Sequence, residues 1–221
     1  MLIPYSVNTL LNRSPWANLT IFGLNIICFW MLAGDILDDD AVETMVLADW
    51  NSLSFLGYQF LHAGFGHLAS NLLILWVFGN AISGVMNQFL YFLLYLLLGV
   101  AAGMLHLVVD GSPVVGASGS ISGLTGFYLA VFPINRINCW WIFGFRGGSI
   151  EIAGYWLILF WIAADLFFAF GGSIGVAHWA HLGGTIAGFL AGLLFLRLGW
   201  VDRFDYDHPT LPELMFNRSA E

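Results

Sequence analysis

The chain has 221 residues, enough for one soluble domain, yet 59% of them are hydrophobic and only 9% charged, against roughly 25% charged in an average soluble domain. So few charges cannot cover an aqueous surface, so most of the exterior has to face lipid. The formal charge is −8, and all six basic residues are arginine. That balance excludes the clustered cationic surface that nucleic acid or an anionic headgroup layer demands, so no nucleic-acid partner is expected.

A bilayer core ~30 Å thick needs about 20 apolar helical residues. Six stretches qualify, at 17–33, 66–85, 89–109, 118–132, 152–170 and 176–198. They predict an all-α polytopic membrane protein, a six-transmembrane-helix bundle over 1–201, with a short polar tail over 202–221. The fourth stretch is short because Pro133 limits it. Arg13 and the small residues around the first stretch give it some features of a signal peptide. A retained helix fits better, because its removal would disturb the charge alternation. Arg13 precedes the first span, Arg136 and Arg146 lie between the fourth and fifth, and Arg197 and Arg203 follow the sixth. With six spans these segments share one side, which the positive-inside rule makes the cytoplasm. The segment 35–49 carries six acidic residues and no basic one and falls outside. A multi-pass protein with both termini cytoplasmic, in the cell membrane, is the expectation.

Cys28 and Cys139 form neither a disulfide framework nor a zinc pattern and read as packed side chains. Trp140 and Trp141, with the tryptophans over 156–161, read as interfacial belts and lipid-facing surface.

Polar groups inside spans are costly and therefore informative. His67 and Asn71 lie at the outer end of span two, and their i,i+4 spacing places them on one helix face. Ser118 starts span four at the same level, and His178 and His181 occupy the first turns of span six. Three spans thus deliver a hydroxyl, imidazoles and an amide to one shallow depth. Below His181 run Gly184, Gly188 and Gly192, and span four offers Ser118, Ser122, Thr125 and Gly126 with Gly119 and Gly123 adjacent. Faces of this kind let helix backbones approach closely. If these two small faces meet, with Gly119, Gly123, Gly184 and Gly188 among the packing residues, Ser118 and His181 come within reach of each other. A serine hydroxyl needs a base to become a nucleophile, and neutral histidine suits that task. The oxyanion then needs donors, for which the Ser118 N–H, Asn71 and His67 are the candidates. No carboxylate is expected at that depth, so a Ser–His dyad is the inference, and Asp165 in span five has no assigned role. Taken alone, Ser118 would read as a packing residue or helix cap; its company at one depth reverses this. His178 is a rival base, but lacks the glycine face below it. A metal site from His62, His67, His178 and His181 lacks an acidic or cysteine ligand to complete it, so none is expected.

Gly116-Ala117-Ser118-Gly119, His67-xxx-Asn71 and His181-Leu182-Gly183-Gly184-xxx-Gly188 resemble the GxSG, HxxxN and HxxGxxxG motifs of the rhomboid family of intramembrane serine proteases. Their order and placement on spans two, four and six agree as well. The resemblance implies a rhomboid-like bundle in which Ser118 is the nucleophile, His181 the base, and His67, Asn71 and the Ser118 amide the oxyanion hole. It implies cleavage of single-pass transmembrane substrates near the outer membrane face, in the lipid bilayer and without a cofactor. His62 would help hold the first loop. Three family features are absent. Asp49-Trp50-Asn51 stands near the place of a first-loop Trp-Arg pair, Ser122 stands where an aromatic commonly follows the nucleophile, and Ser83 stands where many members carry glutamate. A catalytically silent relative that binds membrane helices is the alternative. A transporter is disfavoured because inverted repeats and broken-helix pairs are missing.

Overall fold

The apolar runs become helices in the order expected, and the shortest of them becomes the centre of the bundle. The computed structural model describes residues 2–9, 12–171, 175–203 and 208–216; of the expected tail, 204–207 and 217–221 lie outside the described residues. Strand β1 (Leu2–Val7) leads into α1 (Trp16–Ala33). Two short helices follow in the acidic segment and beyond it, α2 (Asp39–Met45) and α3 (Ser52–Gly57). Each starts where a side chain supplies an acceptor to an orphan amide, Asp38 to Ala41 N and Asn51 to Leu53 N. Then come α4 (Phe65–Ser83), α5 (Gln88–Val109), α6 (Ser118–Val131), α7 (Gly154–Gly171), α8 (His178–Leu198) and α9 (Leu211–Phe216).

Helices α1, α4, α5, α7 and α8 are long and apolar enough to cross a bilayer. The remaining expected span, α6, has 14 residues, about 21 Å at 1.5 Å per residue. It is short of a bilayer core, but it is screened from lipid: most of its residues from Gly119 to Val131 are buried. Its main partner is α8. A Cβ on Gly184 would strike the carbonyl oxygen of Gly119, one on Gly188 that of Gly123, and one on Gly126 that of Thr185. Only glycine permits this approach, and it brings the starts of α6 and α8 side by side.

Inside α4 the segment Leu75–Gly79 is π-helical. Such a segment disturbs the carbonyl ladder and calls for outside partners. Fully buried Asn18 of α1 supplies one, donating from Nδ2 to the Leu75 carbonyl (3.2 Å) and to Asn80 Oδ1 (2.9 Å) while accepting from Tyr91 OH (2.6 Å).

The fold is not helical throughout. Strands β2 (Arg136–Phe143) and β3 (Arg146–Ala153) form a hairpin between α6 and α7, and β1 pairs antiparallel with β2 in the order β1-β2-β3. The run Ile137-Asn138-Cys139-Trp140-Trp141-Ile142-Phe143 has strand composition, and the turn places Gly144 first at φ +58°, as a two-residue hairpin with a leading glycine requires. Trp140 is therefore a sheet residue, stacked on Tyr5 at 4.6 Å between centroids. Sequence reading missed the sheet because β1, the partner that completes it, lies at the other end of the first four spans.

The sheet, the Arg13–Asp202 ion pair (2.6 Å) and the bonds from Asn12 and Arg13 N–H to the Gly84 carbonyl gather Arg13, Arg136 and Asp202 at one end of the bundle. The starts of α4, α6 and α8 lie at the opposite end.

Candidate active site

The site is built at three helix starts. Gly116 precedes α6 with φ +129°, and a Cβ there would lie 2.7 Å from His67 Cε1. A side chain at 116 is thus excluded by conformation and by space, and the loop passes directly over His67. The Gly116 N–H donates to the Tyr58 carbonyl at 2.8 Å, tying this loop to the first one. Ser118 is the first residue of α6, so its N–H has no intrahelical acceptor.

Ser118, His181 and Asn71 line two adjoining cavities. One, of about 860 Å³, adds His67, Ser70 and His106 to its wall. The other, of about 420 Å³, adds Ser122 and Asp165 and runs as a cleft between Ile74 of α4 and Ile158, Trp161 and Ile162 of α7 down to Pro4 of β1. Asn71 is buried, and its Nδ2 is a donor with no acceptor among the described residues. All four candidate residues singled out in the sequence, His67, Asn71, Ser118 and His181, thus face one space. No hydrogen bond joins Ser118 to His181 among the described residues. Substrate-free sites commonly leave this contact long.

Asp165 requires a correction to the sequence reading, which placed no carboxylate at this depth. Its Oδ1 lies 3.0 Å from His181 Nδ1 and 2.7 Å from His178 Nδ1. Span five is antiparallel to span six at this level, and hydropathy along one helix does not reveal which residue of another it faces. An ionised carboxylate only accepts, so both Nδ1 atoms are the donors. His178 turns its other nitrogen, Nε2, into a buried place without a partner among the described residues and lines neither cavity. Its ring stacks on Phe168 (5.5 Å, 22°) and meets His181 edge-on (5.9 Å, 83°). That edge contact supports the His181 ring where Ser122 provides no aromatic.

Asp165, His178 and His181 bring three metal-ligating atoms within 4.8 Å of one another. Around a tetrahedral ion with bonds of about 2.1 Å, ligand atoms sit roughly 3.4 Å apart. The observed 2.7 and 3.0 Å are hydrogen-bond lengths instead.

The first loop is anchored by groups the sequence did not advertise. Tyr58 OH donates to the Gly99 carbonyl (2.6 Å). Buried Gln59 donates to the carbonyls of Phe55 and Leu96 and accepts from Ser120 Oγ (2.9 Å). Leu47 and Val114 exchange backbone bonds of 3.0 and 3.1 Å. Together these hold the loop in the absence of a Trp-Arg pair. His62 is buried, bonds through Nδ1 to the Phe60 carbonyl (3.3 Å) and meets His67 edge-on at 5.1 Å. Burial, with His67 beside it, pushes its pKa down to about 4, so a neutral ring braces His67. At the far end Ser83 Oγ donates to Gln88 Oε1 (2.7 Å), which also accepts from Ala17 N (3.1 Å). Gln88 thereby links the end of α4 to the start of α1.

Comparison with known proteins shows which family the chain resembles along most of its length. A family model described as the Rhomboid domain matches residues 49–198. The chain is 28% identical over 188 residues to rhomboid protease GluP of Bacillus subtilis, covering 81% of this chain and 35% of that protein. To RHOMBOID-like protein 2 of Arabidopsis thaliana it is 32% identical over 170 residues, 72% of this chain and 50% of the other. To the mitochondrial rhomboid protein 1 of Saccharomyces cerevisiae it is 29% identical over 149 residues, 64% and 41% of the two chains. The chain spans between about a third and a half of the length of these relatives. With a matching domain across most of its length and a bundle of membrane-crossing helices, the chain is a multi-pass integral membrane protein and belongs to the rhomboid family.

Proposed function

We propose that this protein is an intramembrane serine endopeptidase working through Ser118 and His181. The observation that carries the reading is the shared cavity, where Ser118, His181 and Asn71, whose Nδ2 has no partner among the described residues, face one space. In this mechanism His181 Nε2 takes the proton from Ser118 Oγ as the oxygen attacks the scissile carbonyl. The oxyanion that forms lies within the reach of the Asn71 amide, the His67 imidazole and the Ser118 N–H, the last aided by the helix dipole. His181 then delivers its proton to the leaving amine, and water hydrolyses the acyl-enzyme by the reverse use of the same base. The chemistry requires no metal or cofactor.

The substrates proposed are single-pass transmembrane proteins. They reach the site from the lipid through the cleft between α4 and α7, where Ile74 faces Ile158, Trp161 and Ile162, with Ser122, Thr125 and Thr185 as polar groups along its floor. GluP, a relative, is named as a rhomboid protease, which supports the same reaction class. With the arginine-bearing end in the cytoplasm of a cell membrane, both termini and the tail 202–221 lie inside and cleavage falls near the outer face. In proteoliposomes carrying a single-span substrate with a weakened helix, Ser118→Ala is expected to reduce cleavage to background. Wild type is expected to react with a fluorophosphonate probe and His181→Ala to lose that reaction. Cleavage by Ser118→Ala at the wild-type rate would overturn the assignment. A wild type inert to the probe would favour a silent helix-binding relative instead.

A further inference from the structure

A carboxylate on a helix that faces mostly lipid is expensive, and it persists where it has a partner and a use. Among the described residues, α7 buries only Gly154, Leu157 and Ile158, yet it carries Asp165 at the level of Ser118. Asp165 is the sole acidic residue of α7, and Oδ1 takes both histidine Nδ1 atoms. Since a carboxylate can only accept, this arrangement selects one tautomer of His181. The proton sits on Nδ1, and the Nε2 lone pair is left for the cavity that Ser118 lines. The same bond restrains rotation of the ring. Loss of such a partner leaves geometry nearly intact but lets the wrong nitrogen carry the proton.

We propose that Asp165 is a positioning residue, which fixes the tautomer and the direction of the His181 ring from a neighbouring span, so that the site works as Ser118, His181 and Asp165 together. His178 shares the carboxylate and, braced by Phe168, holds the Asp165 side chain in the orientation that meets His181. This inference rests on the protease reading above, and its test separates the two.

The decisive measurement is ¹⁵N NMR of histidine-labelled protein in micelles, using Ser118→Ala protein so that no catalysis is involved. His181 is expected to show a single Nδ1–H tautomer with a downfield proton. Adding Asp165→Asn is expected to abolish the downfield signal and populate the Nε2–H form. In the active background, Asp165→Asn and Asp165→Ala are each expected to lower kcat by about 10²-fold, with KM within about twofold of wild type. Asp165→Glu is expected to recover about tenfold of the loss, because it restores an acceptor. An unaltered tautomer in Asp165→Asn, or wild-type kcat in both Asp165→Asn and Asp165→Ala while Ser118→Ala remains inactive, overturns the role of Asp165 and leaves the protease intact. Failure of the protease reading would appear separately, as cleavage that survives Ser118→Ala.

Discussion

Helices α6 and α7 flank the same site and are held in opposite ways. Between α6 and α8 the backbones lie so close that a single added carbon at Gly184 or Gly188 would strike a carbonyl of α6. Helix α7 turns Trp156, Phe160, Phe167 and Phe170 outward and buries little beyond its first turns. Its polar tie to the site is one carboxylate oxygen shared by two imidazoles. The first contact sets the separation of Ser118 from His181 through steric packing, which has no soft alternative. The second sets the orientation of the His181 ring through hydrogen bonds, which are directional but easily broken. A site can thus be rigid where distance matters and lightly held where a neighbouring helix borders the lipid.

Substitutions should separate the two regions sharply. Gly188→Leu is expected to have the largest effect, destabilising the bundle by about 3 kcal/mol or more and removing activity, as read by thermal unfolding in detergent. A normal transition for that variant would break the claim of backbone contact. Asn71→Ala comes next, with a fall of about 10²-fold in kcat. Its unfolding transition should move little, because Nδ2 has no bond to lose among the described residues. Gln59→Leu strips Ser120 of its acceptor and the carbonyls of Phe55 and Leu96 of a donor, for an expected cost of about 1–3 kcal/mol. The same unfolding assay measures it, and a shift as small as that of an exposed residue would remove Gln59 from the loop anchor. The smallest change is expected on the α7 flank, where Phe160→Leu should stay within about 0.5 kcal/mol. A large loss there would mean that α7 is held more firmly than its burial implies.

The helical part of the fold was legible because its signals are local. Apolar runs of bilayer length and a proline stop at 133 are read within one segment, and the observed spans differ from the expected ones by a few residues at their ends. The juxtaposition of Ser118, His181, His67 and Asn71 was legible for a related reason: span parity fixes which helix starts share a side, and glycine faces say which helices meet. The sheet was not, since Leu2–Val7 finds Arg136–Phe143 only after four membrane segments have folded between them. Nor were Gln59, Gln88 and Asn18, which are ordinary amides in sequence and acquire meaning only from the carbonyls and hydroxyls packed against them.

By itself, the amino-acid sequence determined that this protein lives in lipid, that its arginine-bearing segments share one side, and that Ser118 and His181 start neighbouring glycine-faced helices. Hydropathy, charge and residue spacing are properties of the chain and survive without coordinates. Only the tertiary structure decided that Asp165 meets His181, that His178 shares the same oxygen, and that a sheet closes the far end. Those outcomes depend on the rotation of one helix against another and on pairing between distant strands, and no period within a single segment records either.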